Sequence, residues 1–177
     1  MSLIRFVTFS VAAALGLAAF TQTAFAVGEK ATAAMKLADG KDAGTVTLTE
    51  ATAGVILKFE LKGLAPGPHA VHVHETGKCD GDISGAGGIY NPLGAKHGFL
   101  NDEGPMAGDL PNIYASADGT VVAEVLSPFL TLSKDAEETL FDSDKTSLVI
   151  AEGADDYESE PDGSAGARIA CGVIVAK

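Results

Sequence analysis

The chain has 177 residues, of which 12 are basic and 24 are acidic, so its net charge at pH 7 is −12. A surface this acidic repels nucleic acid and anionic membranes, which excludes nucleic-acid binding as a function. The length suits a single domain with a substantial hydrophobic core.

The first 26 residues predict a secretory signal peptide. They carry one charge, at Arg5, followed by an apolar stretch and by Ala24-Phe25-Ala26, the small-x-small pattern of a cleavage site. The apolar stretch is too short and too interrupted for a membrane anchor, and no later segment is long enough to insert into a bilayer. We therefore expect removal of residues 1–26, export to the periplasm or out of the cell, and one domain over residues 27–177.

The rest of the chain predicts an all-β fold. Short runs that alternate apolar and polar residues are separated by glycine-rich turns, which is typical of strands joined by hairpins. Eight such strands point to a sandwich or a closed barrel, and they cover residues 34–37, 44–49, 55–61, 72–74, 109–114, 120–126, 147–150 and 171–175. Two long polar loops follow residues 75 and 150, and residues 133–140 predict one short acidic helix.

Two cysteines, Cys79 in the first long loop and Cys171 in the last strand, are the only ones in the chain. In an oxidising compartment an even number of cysteines predicts a disulfide, which would fasten the loop to the barrel. A cysteine pair bound to a metal is the alternative, but the chain has no C-x-x-C motif.

The segment Val71-His72-Val73-His74 suggests half of a metal site. Residues i and i+2 of a strand lie on one side, so His72 and His74 would project two imidazoles into the same space. Copper and zinc both accept imidazole, and two ligands do not choose between them. The alternative is a pair of histidines on a solvated strand face.

Several stretches resemble the Cu/Zn superoxide dismutase family, in the family's order and over nearly all of residues 27–177. They are residues 67–75 (GPHAVHVHE), 90–93 (YNPL), 96–98 (KHG), 108–110 (GDL), 117–119 (ADG), 155–156 (DD) and 166–174 (GARIACGVI). The resemblance implies an eight-stranded Greek-key barrel with two long functional loops. It also implies a disulfide between the first loop and the last strand.

The resemblance implies only half of the family's copper site. Members bind copper through four histidines, one of which bridges to zinc. His72 and His74 match the first two ligands, whereas Ile89 stands at the bridging position and Ala151 at the last position.

The zinc site is also incomplete. His97 and Asp109 match zinc ligands, but Met106 replaces a third ligand besides the bridge. The family needs six histidines and this chain has four, of which His69 matches a residue that is not a ligand.

Two further positions match residues that act around the metals. Arg168 matches an arginine that guides superoxide to copper, although an arginine can equally tie down the second loop through backbone carbonyls. Asp155 matches a carboxylate that joins a copper histidine to a zinc histidine. In a metal-free protein it would pair His72 with His97 in a buried polar network.

These matches predict an exported protein that binds copper weakly, for storage or delivery to a copper-handling protein, with little or no dismutase activity. We expect little zinc. Two histidines can hold Cu(I), and the thioether of Met106 is a possible third donor, although methionine is more often a packing residue. The alternatives are a dismutase with a reduced ligand set and a metal-free structural or interaction module.

Overall fold

The computed structural model describes residues 27–81, 83–136 and 138–177. The predicted signal peptide, residues 1–26, lies outside the described residues. Among the residues that are described, no helix is long and apolar enough to cross a membrane.

The described residues form nine β-strands and one short 3₁₀ turn, at Ser84–Ala86. The strands are β1 (Lys30–Leu37), β2 (Asp42–Ala51), β3 (Gly54–Leu61), β4 (Gly67–His69), β5 (Val71–His74), β6 (Ile113–Ala115), β7 (Val121–Ser127), β8 (Ser147–Ala151) and β9 (Arg168–Ala176). The all-β prediction is confirmed.

Seven strands form one antiparallel sheet in the order β5, β8, β9, β1, β2, β3, β7, and β4 pairs with β6 in a second sheet. The chain bends at Ala70, so β4 and β5 act as one strand that passes from the small sheet to the large one. Because β6 continues through a tight turn into β7, the small sheet brings the two edges of the large sheet together. Counting β4 and β5 as one strand gives the predicted eight-stranded Greek-key barrel.

Alternation along the strands builds the core. On β3, Val55, Leu57 and Phe59 are fully buried, whereas Lys58 and Glu60 face solvent. The same period-two pattern buries Ala33 and Met35 on β1 and Val46 and Leu48 on β2.

The disulfide is confirmed. Cys79 and Cys171 are bonded, with their Cα atoms 5.6 Å apart. The bond fastens the first loop to β9, which pairs with β8 in the large sheet.

Two local predictions were wrong. The described part of residues 133–140 forms turns instead of a helix, and Thr131 pairs with Thr139 in an isolated bridge. A helix this short is marginal by itself, and here the N–H of Leu140 donates to Thr131 O at 3.1 Å. The predicted strand at 109–114 is shorter, since β6 begins at Ile113 after Pro111, which has no N–H to pair.

Candidate metal centre

Strand β5 is buried on both faces. His72 and His74 expose only 4% and 3% of their surface. The first loop covers them, since the N–H of Val73 donates to Gly108 O (2.9 Å) and the N–H of Tyr90 donates to Val73 O (2.8 Å). A side chain at Gly108 would overlap the Val73 carbonyl, so glycine permits this close approach. The alternative of a histidine pair on a solvated strand is therefore wrong.

Each of these histidines has one ring nitrogen held by the protein. His72 Nε2 lies 2.8 Å from Asp155 Oδ2, and His74 Nδ1 lies 3.0 Å from the carbonyl oxygen of Gly87. Within the described ranges, no partner bonds to His72 Nδ1 or to His74 Nε2. An imidazole held through one nitrogen presents the other in a fixed direction, which is how proteins orient histidine toward a metal.

The surroundings keep His74 neutral. Burial lowers the pKa of His74 to about 3, with a further contribution from the positive charge of Arg168 and an opposing one from the hydrogen bond to Gly87. A metal binds only the neutral imidazole, because the ligand nitrogen needs its lone pair. The ring of His74 is therefore in its metal-binding form at neutral pH.

The two positions that the sequence resemblance matches to further copper ligands hold apolar side chains. Ile89 is 7% exposed and lies opposite His74 in an isolated β-bridge. Ala151 ends β8, where its N–H donates to Ala70 O and its carbonyl lies 2.8 Å from His69 Nδ1. His69 thus supports the end of β8 and takes no place beside the histidine pair.

On the other side of Asp155, the two predicted zinc ligands are bonded to each other. His97 Nδ1 lies 2.8 Å from Asp109 Oδ1, and both side chains are buried. Asp109 Oδ2 accepts the N–H groups of Gly98 (2.8 Å) and Met106 (2.9 Å). Both carboxylate oxygens of Asp109 are therefore used, and Met106 contributes its backbone to this arrangement.

Asp155 joins the two halves. Its Oδ2 contacts His72 Nε2, and its Oδ1 lies 3.1 Å from His97 Nε2. Donor atoms of these three residues lie within 4.8 Å of one another, the one such group of histidine, cysteine and acidic side chains in the part of the chain that the structure describes. Both sequence-based interpretations of Asp155 predicted that it joins these two histidines, so the contact agrees with either.

Charges in this network stabilise one another. Burial alone would lower the pKa of His97, but the negative charges of Asp109 and Asp155 outweigh it and raise that pKa. Burial alone would raise the pKa of Asp155, but hydrogen bonds from His72 and from the N–H of Tyr157 lower it. The two carboxylates thus favour the protonated form of His97 more than water would.

Sequence reasoning missed the residue that positions Asp155. Asn112 accepts the N–H of Asp155 (2.9 Å) and donates from Nδ2 to its carbonyl (2.9 Å). The N–H of Asn112 in turn donates to the Tyr157 hydroxyl at 2.7 Å. No motif in the sequence marks this pairing, because it depends on how the second loop lies against the chain before β6.

Arg168 holds the first loop and not the second. Its guanidinium donates to the carbonyl oxygens of Ile83 (3.1 Å) and Gly87 (2.8 Å). Because Gly87 O also contacts His74 Nδ1, Arg168 helps to fix the loop that orients that ring. Its position beside the histidines is also compatible with attracting an anion.

A small depression opens beside the histidine pair, with a volume of about 10 Å³. Its lining includes His72, His74, Ala151, Asp162 and Arg168. Sequence reasoning did not single out Asp162, whose only signal was its place in an acidic loop six residues before Arg168.

The copper/zinc superoxide dismutase family model matches residues 42–174. The superoxide dismutase [Cu-Zn] of Caulobacter vibrioides is 48% identical and covers 93% of this chain and 97% of its own. Superoxide dismutase [Cu-Zn] 2 of Aquifex aeolicus is also 48% identical, over 82% of this chain and 86% of its own.

Solved structures agree with these matches. The crystal structure of a superoxide dismutase-like protein from Bacillus subtilis superposes with a TM-score of 0.79 at 35% identity, covering 81% of this chain and 97% of that chain. Sequence and fold therefore lead to the same assignment: this chain belongs to the copper/zinc superoxide dismutase family.

Proposed function

We propose that this protein is an exported copper-binding member of its family, which holds copper weakly through His72 and His74 and dismutates superoxide poorly or not at all. The observation that carries this proposal is the pair of ring nitrogens, His72 Nδ1 and His74 Nε2, that have no partner within the described residues. Storage, or delivery to a copper-handling protein, suits a site that binds its metal loosely.

Copper fits these residues in part. Two neutral imidazoles satisfy Cu(I), which tolerates low coordination, whereas Cu(II) prefers a tetragonal set that Ile89 and Ala151 do not complete. Copper supplies one-electron redox chemistry when bound, and the chain holds and orients the two imidazoles for it. Such a site binds the metal but does not tune it for rapid turnover.

Zinc does not fit the residues as they stand. Zinc in a structural site takes four protein ligands, and His97 and Asp109 offer two that are already bonded to each other. Zinc would also have to displace the proton that Asp109 and Asp155 favour on His97. We therefore propose little zinc occupancy.

Export is supported by two independent features. The first 26 residues have the composition of a signal peptide. The Cys79–Cys171 disulfide is of a kind that persists in oxidising compartments. We infer a periplasmic or secreted location from them together.

Titration of the purified, disulfide-intact protein with Cu(I) and with Cu(II) tests the proposal. We expect one saturable site in the wild type and loss of that site in the His72→Ala/His74→Ala double variant, with thermal unfolding showing that the variant is folded. Absence of saturable binding, or binding unchanged in the variant, would refute it.

A copper-dependent superoxide dismutase with a reduced ligand set is the second candidate. The names of the Caulobacter and Aquifex relatives and the position of Arg168 beside the histidines favour it. Superoxide turnover of the copper-loaded protein decides between the two. Turnover no greater than that of free copper at equal concentration excludes this candidate.

A metal-free structural module is the third candidate, favoured by the closed His97–Asp109 pair. Metal analysis of protein isolated from its native compartment tests it, and stoichiometric copper would exclude it.

A further inference from the structure

The depression beside His72 and His74 is lined by one acidic residue, Asp162, which matches none of the family's ligand positions. Asp162 is half-buried. Across residues 27–81, 83–136 and 138–177, its carboxylate makes no hydrogen bond or ion pair. An acidic residue whose carboxylate has no described partner therefore lines the same depression as two imidazoles that each have an unpartnered nitrogen.

The backbone that carries Asp162 is closely tied to the histidine network. The N–H of Gly163 donates to Ser159 O (2.7 Å), and Gly163 O accepts the N–H of Asp156 (3.0 Å). Gly163 has a φ of +68°, and a side chain there would overlap the Asp155 carboxylate. Because Asp155 bonds to His72, the position of Asp162 is fixed relative to the histidine pair.

We propose that Asp162 is a third copper ligand of this chain, giving a site of two imidazole nitrogens and one carboxylate oxygen that binds Cu(II). This inference rests on the proposed function and deepens it. A mixed nitrogen and oxygen set with positions open to water is typical of Cu(II), whereas a carboxylate adds little for Cu(I). Asp162 thereby supplies from the second loop a ligand that Ala151 does not supply from β8.

Binding requires the Asp162 side chain to move. The donor atoms of His72, His74 and Asp162 do not all lie within 4.8 Å of one another, a separation that His72, His97 and Asp155 do satisfy. Since no described partner holds it, a rotation of its side chain costs no hydrogen bond. Its negative charge also favours a divalent cation in a depression where Arg168 is the nearby positive group.

Copper affinity and electron paramagnetic resonance of Asp162→Asn test this inference, with Asp102→Asn as the matched control. Asp102 is exposed in the first loop, so the control removes the same charge without touching the depression. We expect Asp162→Asn to weaken Cu(II) binding by on the order of tenfold or more. We expect a changed g∥ and copper hyperfine splitting, and unchanged Cu(I) affinity and thermal midpoint. Asp102→Asn should match the wild type in every measurement.

A second variant gives a positive readout. Asp162→His should tighten Cu(II) binding and add one nitrogen to the superhyperfine pattern of the spectrum, if a side chain at this position reaches the metal.

The outcomes separate this inference from the function on which it rests. If the wild type binds no copper, both fail. If the wild type binds copper through His72 and His74 but Asp162→Asn and Asp162→His leave the Cu(II) affinity and spectrum unchanged, only the third ligand is refuted. A higher superoxide turnover in Asp162→Asn with unchanged copper affinity would likewise refute it and assign Asp162 an electrostatic effect on the incoming anion.

Discussion

The two halves of the site differ in what their histidine nitrogens contact. On the copper side, His72 and His74 are each held through one nitrogen, and the other nitrogen has no described partner. On the zinc side, both nitrogens of His97 contact carboxylates, one of Asp109 and one of Asp155. One half keeps two ring nitrogens without a described partner, and in the other half both ring nitrogens contact carboxylate oxygens.

The difference shows that buried histidines a few ångströms apart can be held in two ways. Beside Ile89 and Ala151, the imidazoles of His72 and His74 are oriented by Asp155 and by the carbonyl oxygen of Gly87. Around His97, both ring nitrogens contact carboxylate oxygens directly, and Asp109 also accepts two backbone N–H groups of the first loop.

Adding two histidines beside His72 and His74 should have the largest effect on copper affinity. In Ile89→His/Ala151→His, two imidazoles would join His72 and His74 from positions that border them. Copper affinity should rise on the order of hundredfold or more, since each ligand that contributes about 1.4 kcal/mol gives a factor of ten. Competition titration measures the affinity, and superoxide turnover should rise with it.

Crowding limits this variant, because Ala151 packs against Ala70 and Ala165. Overpacking there should cost about 1–3 kcal/mol of unfolding free energy. Leu93→His, at a residue that is 74% exposed, is the control for adding a surface imidazole. A gain no larger than that of the control would mean that the copper side cannot be completed from these positions.

Stability should depend on pH in opposite directions for the two halves. His74, with its pKa lowered to about 3, stays neutral in the folded protein while the unfolded chain binds a proton below about pH 6.5. The unfolded state therefore gains protons as pH falls, and the metal-free protein should lose up to about 5 kcal/mol between pH 6.5 and 3. Urea unfolding across this range measures the loss, and His74→Asn should reduce it.

The half of the site around His97 should show the opposite dependence of stability on pH. Because the pKa of His97 is raised in the folded protein, its contribution is fully present below about pH 6.5 and is lost as pH rises through the folded value. The lowered pKa of Asp155 adds stability above about pH 3.9 that is lost in acid. A stability that rises steadily from pH 6.5 to 9 would contradict the raised pKa of His97.

Removing Asp155, which links the two halves, should lower the free energy of unfolding by a somewhat smaller amount. Asp155→Ala leaves the Nε2 atoms of His72 and His97 buried without an acceptor, so the free energy of unfolding should fall by about 3–5 kcal/mol. Asp156→Ala is the control, since its exposed carboxylate bonds to nearby groups of its own loop, the N–H of Glu158 and the N–H and side chain of Ser159. Its cost should be about 1 kcal/mol by denaturant unfolding. Equal losses in the two variants would show that Asp155 does not join the halves.

Much of this arrangement could be predicted from the sequence, for reasons that differ by residue. Strand alternation predicted that His72 and His74 lie on one side, because side-chain direction follows from local spacing. The cysteine count predicted the disulfide, because the chain has only two cysteines that could pair. The direct contact of His97 with Asp109 could not be predicted, since it depends on how a long loop folds back. Asn112 and Asp162 were missed for the same reason: their neighbours come from the second loop, where the sequence has no period.

The smallest expected effect concerns Met106, whose thioether is a soft donor in the first loop. If the halves are separate, its thioether has no part in copper binding. Its N–H donates to Asp109 Oδ2 on the zinc side, and its side chain does not line the depression beside His72 and His74. Met106→Leu conserves volume, so it should change the unfolding free energy by less than about 1.5 kcal/mol.

The informative measurement on this variant is its Cu(I) affinity, because sulfur is a preferred ligand of Cu(I) and leucine offers none. We expect the same affinity as in the wild type. A tenfold weaker Cu(I) site in Met106→Leu would show that the first loop moves Met106 toward the histidine pair when copper binds. In that case the His97–Asp109 contact describes the protein before the metal binds, and the two halves would act as one site.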